Sequence, residues 1–215
     1  MAHKIVTVAG LKGGTAKTST ATNLAAWWSA AGRRVLLIDA DPNGSATKLH
    51  ARGDGALLAE GSAVVPLQQA AKAMAQAWEL VVVDTAGGSR DEQRTYAEGS
   101  HFVLAPCQPA ASSIEQVVDL AEIIKATTVP YGVVLTMCDS RRKVDATKTR
   151  QVLEQVGLPV LKTQLSLLSA WPKAEAAGVA VRDARTDADR PDAGAVTAWQ
   201  QIGDLAAEIE TKVQP

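Results

Sequence analysis

The sequence predicts an α/β protein: a mostly parallel, twisted sheet held between two layers of helices. Short apolar runs at residues 5–8, 34–38, 80–84, 102–106, 133–137 and 160–163 alternate with helical patterns along the chain. That alternation is the order of right-handed βαβ units around one sheet. The second strand run, Arg34-Val35-Leu36-Leu37-Ile38, is continuously apolar after its first residue, as expected of a strand buried on both faces. Aspartates stand where the runs at 34–38 and 80–84 end, on the side where open α/β sheets bind ligands.

The first strand leads into Lys12-Gly13-Gly14-Thr15-Ala16-Lys17-Thr18-Ser19. A strand, a glycine-rich turn and Lys-Thr at a helix start make a phosphate cradle. Turn amides and the helix N-terminus aim donors at an anion, Lys17 adds a full positive charge, and the Thr18 hydroxyl is placed to ligate magnesium. Two positions depart from the ordinary phosphate loop. Leu11 stands where its first glycine would be, and Ala16 replaces the glycine before the lysine.

Residues 20–31 place Leu24, Trp27, Trp28 and Ala31 at helical spacing and stop at Gly32. Trp27 and Trp28 cannot point the same way, so one is expected in the core and the other at its edge. The second strand run ends in Asp39-Ala40-Asp41-Pro42-Asn43-Gly44-Ser45, where Pro42 and Gly44 turn the chain and keep both acids near the phosphates. Residues 51–65 show no clear periodicity, and 66–78 read as a helix with Pro66 in its first turn. Asp84 closes the strand at 80–84 in the manner of a Walker B carboxylate, and Thr85-Ala86-Gly87-Gly88 after it gives a flexible backbone next to the phosphates, suited to sensing the γ-phosphate. Further helices are expected over 91–99, over 112–126 with Ser112 or Ser113 as cap, over 145–156, and over 167–177 with a break near Pro172. The last, 195–212, is amphipathic, with Trp199, Ile202, Leu205, Ala206 and Ile209 on one face.

Lys12-Gly13-Gly14-Thr15-Ala16-Lys17-Thr18-Ser19 resembles the deviant Walker A motif, KGGxxKT[ST], of the ParA/MinD family of ATPases. The likeness is strongest over residues 1–46, weaker beyond, and the chain's size resembles the short, ParF-like ParA proteins. This resemblance implies ATP and Mg²⁺ as ligands, with Lys12, Gly13, Gly14, Thr15, Ala16, Lys17, Thr18 and Ser19 around the nucleotide. It also implies Thr18, Asp39 and Asp84 at the metal, Asp41 orienting the attacking water, and Lys12 reaching the phosphates of a partner subunit. The family's DxDPQGS segment differs here only at Asn43. Adenine follows from the family; no NKxD-type guanine reader is present, Thr136-Met137-Cys138-Asp139 occupying its place. Hydrolysis is then expected to be slow and coupled to an ATP-dependent homodimer.

The 215 residues, 47% hydrophobic and 21% charged, suit one domain spanning 1–215 that needs no disulfide or structural metal. Cys107 and Cys138 fit a reducing cytoplasm and are expected as packing residues; a cluster-binding relative would need a cysteine or histidine cluster. No signal peptide and no apolar span of the roughly 20 residues a bilayer requires is visible. With the first strand so near the start of the sequence, an operator-reading helix-turn-helix domain is not expected. A MinD-type membrane helix is not expected, because the final helix carries Asp204, Glu208 and Glu210 against Lys212.

Two function classes follow from the resemblance. One is a cytoplasmic, nucleoid-associated partition ATPase, whose ATP-bound dimer coats DNA without sequence preference until a ParB-like adaptor triggers hydrolysis. The other positions a protein cargo or microcompartment, or acts as a MinD-like spatial regulator. With a net charge of −1, DNA binding needs a local basic cluster, for which Arg141, Arg142 and Lys143, then Arg182 and Arg185, are the candidates.

Overall fold

A computed structural model describes residues 3–213. Strands β1 (Lys4–Val8), β2 (Val35–Ala40), β3 (Ala63–Pro66), β4 (Leu80–Thr85), β5 (Phe102–Cys107), β6 (Tyr131–Cys138) and β7 (Val160–Ser166) form one parallel sheet in the order β3-β2-β4-β1-β5-β6-β7. The helices are α1 (Lys17–Ala30), α2 (Ser45–Arg52), α3 (Ala70–Met74), α4 (Arg90–Glu98), α5 (Ala111–Lys125), α6 (Lys143–Gln155), α7 (Ala170–Ala177) and α8 (Ala195–Lys212). Parallel strands need crossovers, and the helices supply them while covering both faces. The three-layer arrangement is the one expected.

Alternation along each strand divides the core. Val6, Val8, Val35, Leu37, Val82 and Leu104 face a layer built from α1 and α8. On the other face, Leu36, Ile38, Val81 and Val83 meet Ala73 and Trp78. Val103, Ala105, Val133 and Leu135 there meet Leu120 and Ile124 of α5 and Leu153 of α6. Each fully buried aliphatic side chain contributes about 1.5–3 kcal/mol. Of the tryptophan pair, Trp28 is the core residue, with Nε1 donating to Glu210 Oε1 at 2.8 Å. Trp27 lies at the core's edge, its ring centroid 4.9 Å from that of Trp199. Gly203 of α8 lets it fit, since a Cβ there would stand 2.4 Å from Trp27 Cη2. The apolar face of α8 is therefore spent on the core. No helix among the described residues is long and apolar enough to cross a membrane.

Four local expectations are corrected, the first being the broken helix over 167–177: α7 begins at Ala170 and runs unbroken to Ala177, with Pro172 tolerated in its first turn. Residues 63–66 form edge strand β3, with Pro66 as its last residue paired in register with Asp39. An edge strand tolerates the missing N–H, and the extended Pro66 backbone (φ −68°, ψ 156°) keeps this residue out of the helix expected to start there. The helix expected over 66–78 shrinks to a 3-10 turn and the five residues of α3, closed by Trp78 Nε1 donating to Ala73 O at 2.7 Å. Helix α5 has Ala110 at its N-cap without a side-chain bond. Ser113 Oγ instead accepts from Gln108 N at 2.9 Å, tying the helix to the end of β5.

Candidate nucleotide site

Register brings the site together. Val8 pairs with Asp84 across β1 and β4, and Asp39 pairs with the same Asp84 across β2 and β4. The phosphate loop leaving β1 and the acids leaving β2 and β4 therefore meet at one end of the sheet. Thr85 Oγ1, donating to Val8 O at 3.0 Å, fixes the exits of β4 and β1 to each other.

The loop runs from Gly10 to α1. Ala16 adopts a left-handed backbone (φ 66°), the conformation for which an ordinary loop uses glycine at this position. Its carbonyl starts the helix, accepting from Thr20 N at 2.9 Å and Thr20 Oγ1 at 2.7 Å. No backbone amide from Lys12 to Ser19 donates a bond to another described residue. A run of unpaired amides around a helix N-terminus is a nest for an anion. Lys17 is buried, and its Nζ donates to Lys12 O at 2.7 Å. Burial pushes its pKa below the ordinary lysine range, against the upward pull of Asp84 and then Asp41. Lys12, Gly13 and Gly14 are exposed, Thr15 is buried, and Thr18 and Ser19 are half-buried.

Asp84 is fully buried, and neither carboxylate oxygen has a hydrogen-bond partner among the described residues. Burial pushes its pKa up to about 7. The nearby Thr18 hydroxyl opposes that rise without a bond of normal geometry, and Asp39 adds to it. A buried carboxylate with no donor is costly unless something else compensates it. Asp84 and Thr18 thus fit magnesium, which prefers a carboxylate, a hydroxyl and phosphate oxygens. Asp39 is also buried, but both its oxygens are engaged, accepting from Asp41 N at 3.3 Å and Thr47 N at 2.8 Å. Those two bonds shape the β2 turn, and register sets Asp39 opposite Asp84. Asp41 Oδ1 accepts from Asn43 N at 2.8 Å, while its second oxygen accepts nothing from the described residues.

Asp39, Asp41 and Ala86-Gly87-Gly88 line a cleft of about 370 Å³. A second, apolar pocket of about 230 Å³ opens beside the loop, lined by Ala16, Thr20, Met137, Leu165 and Trp171. Thr136 closes it, buried and donating from Oγ1 to Thr15 O at 3.1 Å. A planar base suits such a pocket better than a charged group. Sequence reasoning missed Leu165 and Trp171 because their contribution depends on β7 reaching Ser166.

The sequence model of the "CobQ/CobB/MinD/ParA nucleotide binding domain" matches residues 6–181. The chain belongs to that family. The maintenance of carboxysome distribution protein A of Gloeobacter kilaueensis is 31% identical over 186 residues, covering 83% of each chain. A plasmid partition protein from Borrelia burgdorferi B31, solved with AMPPNP, superposes with a TM-score of 0.72 at 16% identity over 98% of this chain and 99% of that one. The septum site-determining protein MinD of Pyrococcus horikoshii OT3, solved with Mg-ADP, gives 0.72 at 13% identity over 99% of both.

The remaining sequence candidates do not join the site. Arg141 and Arg142 occupy a 3-10 turn after β6, pairing with Asp139 at 2.7 Å and Asp145 at 2.8 Å, and Lys143 opens α6. Arg182 pairs with Asp183 at 3.2 Å and lies 5.0 Å over the Trp199 ring; Arg185 pairs with Asp189 at 3.4 Å. Cys107 and Cys138 are buried free thiols, pushed by burial to about 11.

Proposed function

We propose that this chain is a ParA-type ATPase, which binds ATP with Mg²⁺, dimerises on it, and hydrolyses it slowly to ADP and phosphate. The observation that carries the reading is the union of the signature Lys12 and Lys17 with a buried, unpartnered Asp84 at one end of the sheet. In this reading the amides of residues 13–19 cradle the phosphates and Lys17 exchanges the Lys12 carbonyl for phosphate oxygens. The apolar pocket takes the adenine. Thr18 and Asp84 would hold the magnesium, with Asp39 supporting its shell, and the ion when bound would neutralise charge developing on the phosphates. The free oxygen of Asp41 accepts a hydrogen bond from the attacking water and holds it in line. Lys12, exposed at the loop's front, completes the charge on the partner's phosphates, so turnover awaits the dimer.

The dimer binds DNA non-specifically in the cytoplasm, on the nucleoid, and a ParB-like adaptor stimulates hydrolysis and release. Arg141, Arg142 and Lys143 are the first DNA candidates and Arg182 and Arg185 the second. Their acid partners do not exclude this, because exposed ion pairs are worth about 0–1 kcal/mol and a DNA phosphate can displace them. The cargo is plasmid or chromosomal DNA in the first reading. A protein cargo is the second, favoured by the long match to a carboxysome distribution protein. Both readings share one experiment, co-sedimentation with duplex DNA. Wild type is expected to pellet with ATP and stay soluble with ADP, and Lys12→Ala to stay soluble with either. Equal pelleting of both proteins without nucleotide would sink the reading.

A further inference from the structure

One buried side chain beside the cleft has no place in the chemistry above. Gln93, in the first turns of α4, is 1% exposed. Its Oε1 accepts from Gly10 N at 3.2 Å, where the phosphate loop begins. Its Nε2 donates to Ala86 O at 3.3 Å, in the segment leaving β4. One amide therefore spans the two chain segments that approach the phosphates.

Its position is held from behind. Ser89 caps α4 through a reciprocal capping box, Ser89 N donating to Glu92 Oε2 at 2.8 Å and Glu92 N to Ser89 Oγ at 3.3 Å. Gly88 leaves room for the amide, since a Cβ there would come 3.1 Å from Gln93 Nε2 and 2.7 Å from Glu92 Oε2. Gly87 leans on the phosphate loop, where a Cβ would come 2.7 Å from the Lys12 carbonyl carbon.

The consequence lies in the Ala86–Gly87 peptide. In a trans peptide the carbonyl and the following N–H point in opposite directions. With Ala86 O turned to Gln93, the Gly87 N–H is turned away from it. That N–H donates to no other described residue, and Gly87 is an exposed lining residue of the cleft. We propose that Gln93 is a positioning residue, whose amide sets this peptide so that the Gly87 N–H is offered to the terminal phosphate of a bound nucleoside triphosphate. This rests on reading the site as one for ATP. Gln93 does not touch the nucleotide; it makes the site distinguish triphosphate from diphosphate by aiming a donor that only the longer chain reaches.

The test follows the Gly87 amide by NMR in the full-length, ¹⁵N-labelled protein, with Mg²⁺ and either AMPPNP or ADP. In wild type the Gly87 amide resonance is expected to move downfield with AMPPNP and to stay near its free position with ADP. Gln93→Met, close in volume but unable to bond, is expected to abolish that movement. Its kcat should fall at least about tenfold, as when one preorganised donor to a developing anion is lost, while its ADP affinity stays within about twofold of wild type. A merely structural role would weaken both nucleotides together. Movement of the Gly87 amide by ADP as much as by AMPPNP overturns the proposal in wild type alone, whether or not the variant folds. Binding of neither nucleotide by wild type overturns the ATP reading and this proposal with it.

Discussion

Asp84 sets the site's response to pH. Its folded pKa, about 7, lies above the ordinary carboxylate value because burial disfavours the charge. A raised carboxylate pKa means that the folded state holds the proton longer than the unfolded chain. Stability from the neutral form is thus present below about pH 4 and is lost as pH rises through about 7. Asp84→Asn is expected to raise the melting temperature of the nucleotide-free protein at pH 8, and the gain should vanish at pH 4. Holding magnesium requires the ionised form, so nucleotide binding with Mg²⁺ near pH 6.5 should release a proton. Calorimetry in buffers of different ionisation enthalpy reads that release, and a buffer-independent heat would contradict the assignment. Lys17→Ala removes the buried cation, and with charge-assisted bonds worth about 1.5–3 kcal/mol each, ATP affinity should fall at least about tenfold.

At the scale of elements, what could be read from the sequence depended on how local its cause is. The strand at residues 80–84 and the phosphate loop were legible because continuous apolar runs and glycines act within a few residues. Edge strand β3 was not, since Val64 and Val65 form a strand only by pairing with Leu37 and Ile38, far away in sequence. The role of Gln93 was hidden for the same reason: its two partners, Gly10 and Ala86, belong to other segments. Gly203 shows tertiary contact overriding propensity. Alanine in a helix interior is favoured over glycine by about 1 kcal/mol, yet the Cβ would meet Trp27 at 2.4 Å, and overpacking costs about 1–3 kcal/mol. Gly203→Ala should therefore destabilise the protein in urea denaturation, and the same change on a Trp27→Leu background should stabilise it. A destabilisation of equal size on both backgrounds would show that the Trp27 contact is not the cause.

For the whole molecule, the balance of charge matters more than its sum. A chain with a net charge of −1 binds DNA only where a surface gathers cations, and a dimer doubles each such patch. Arg141→Ala with Arg142→Ala is expected to weaken duplex binding and flatten its salt dependence while leaving ATP hydrolysis without DNA intact. Unchanged affinity at low and moderate salt would move the interface to Arg182 and Arg185. The account depends most on the claim that Lys12 makes the site a shared one. The direct measurement is the mass in solution, by light scattering, of Asp41→Ala with saturating ATP and Mg²⁺, beside the same protein also carrying Lys12→Ala. The account predicts twice the mass of one chain for the first protein, falling to one chain when ADP replaces ATP, and one chain for the second throughout. A single-chain mass for Asp41→Ala under saturating ATP would contradict it.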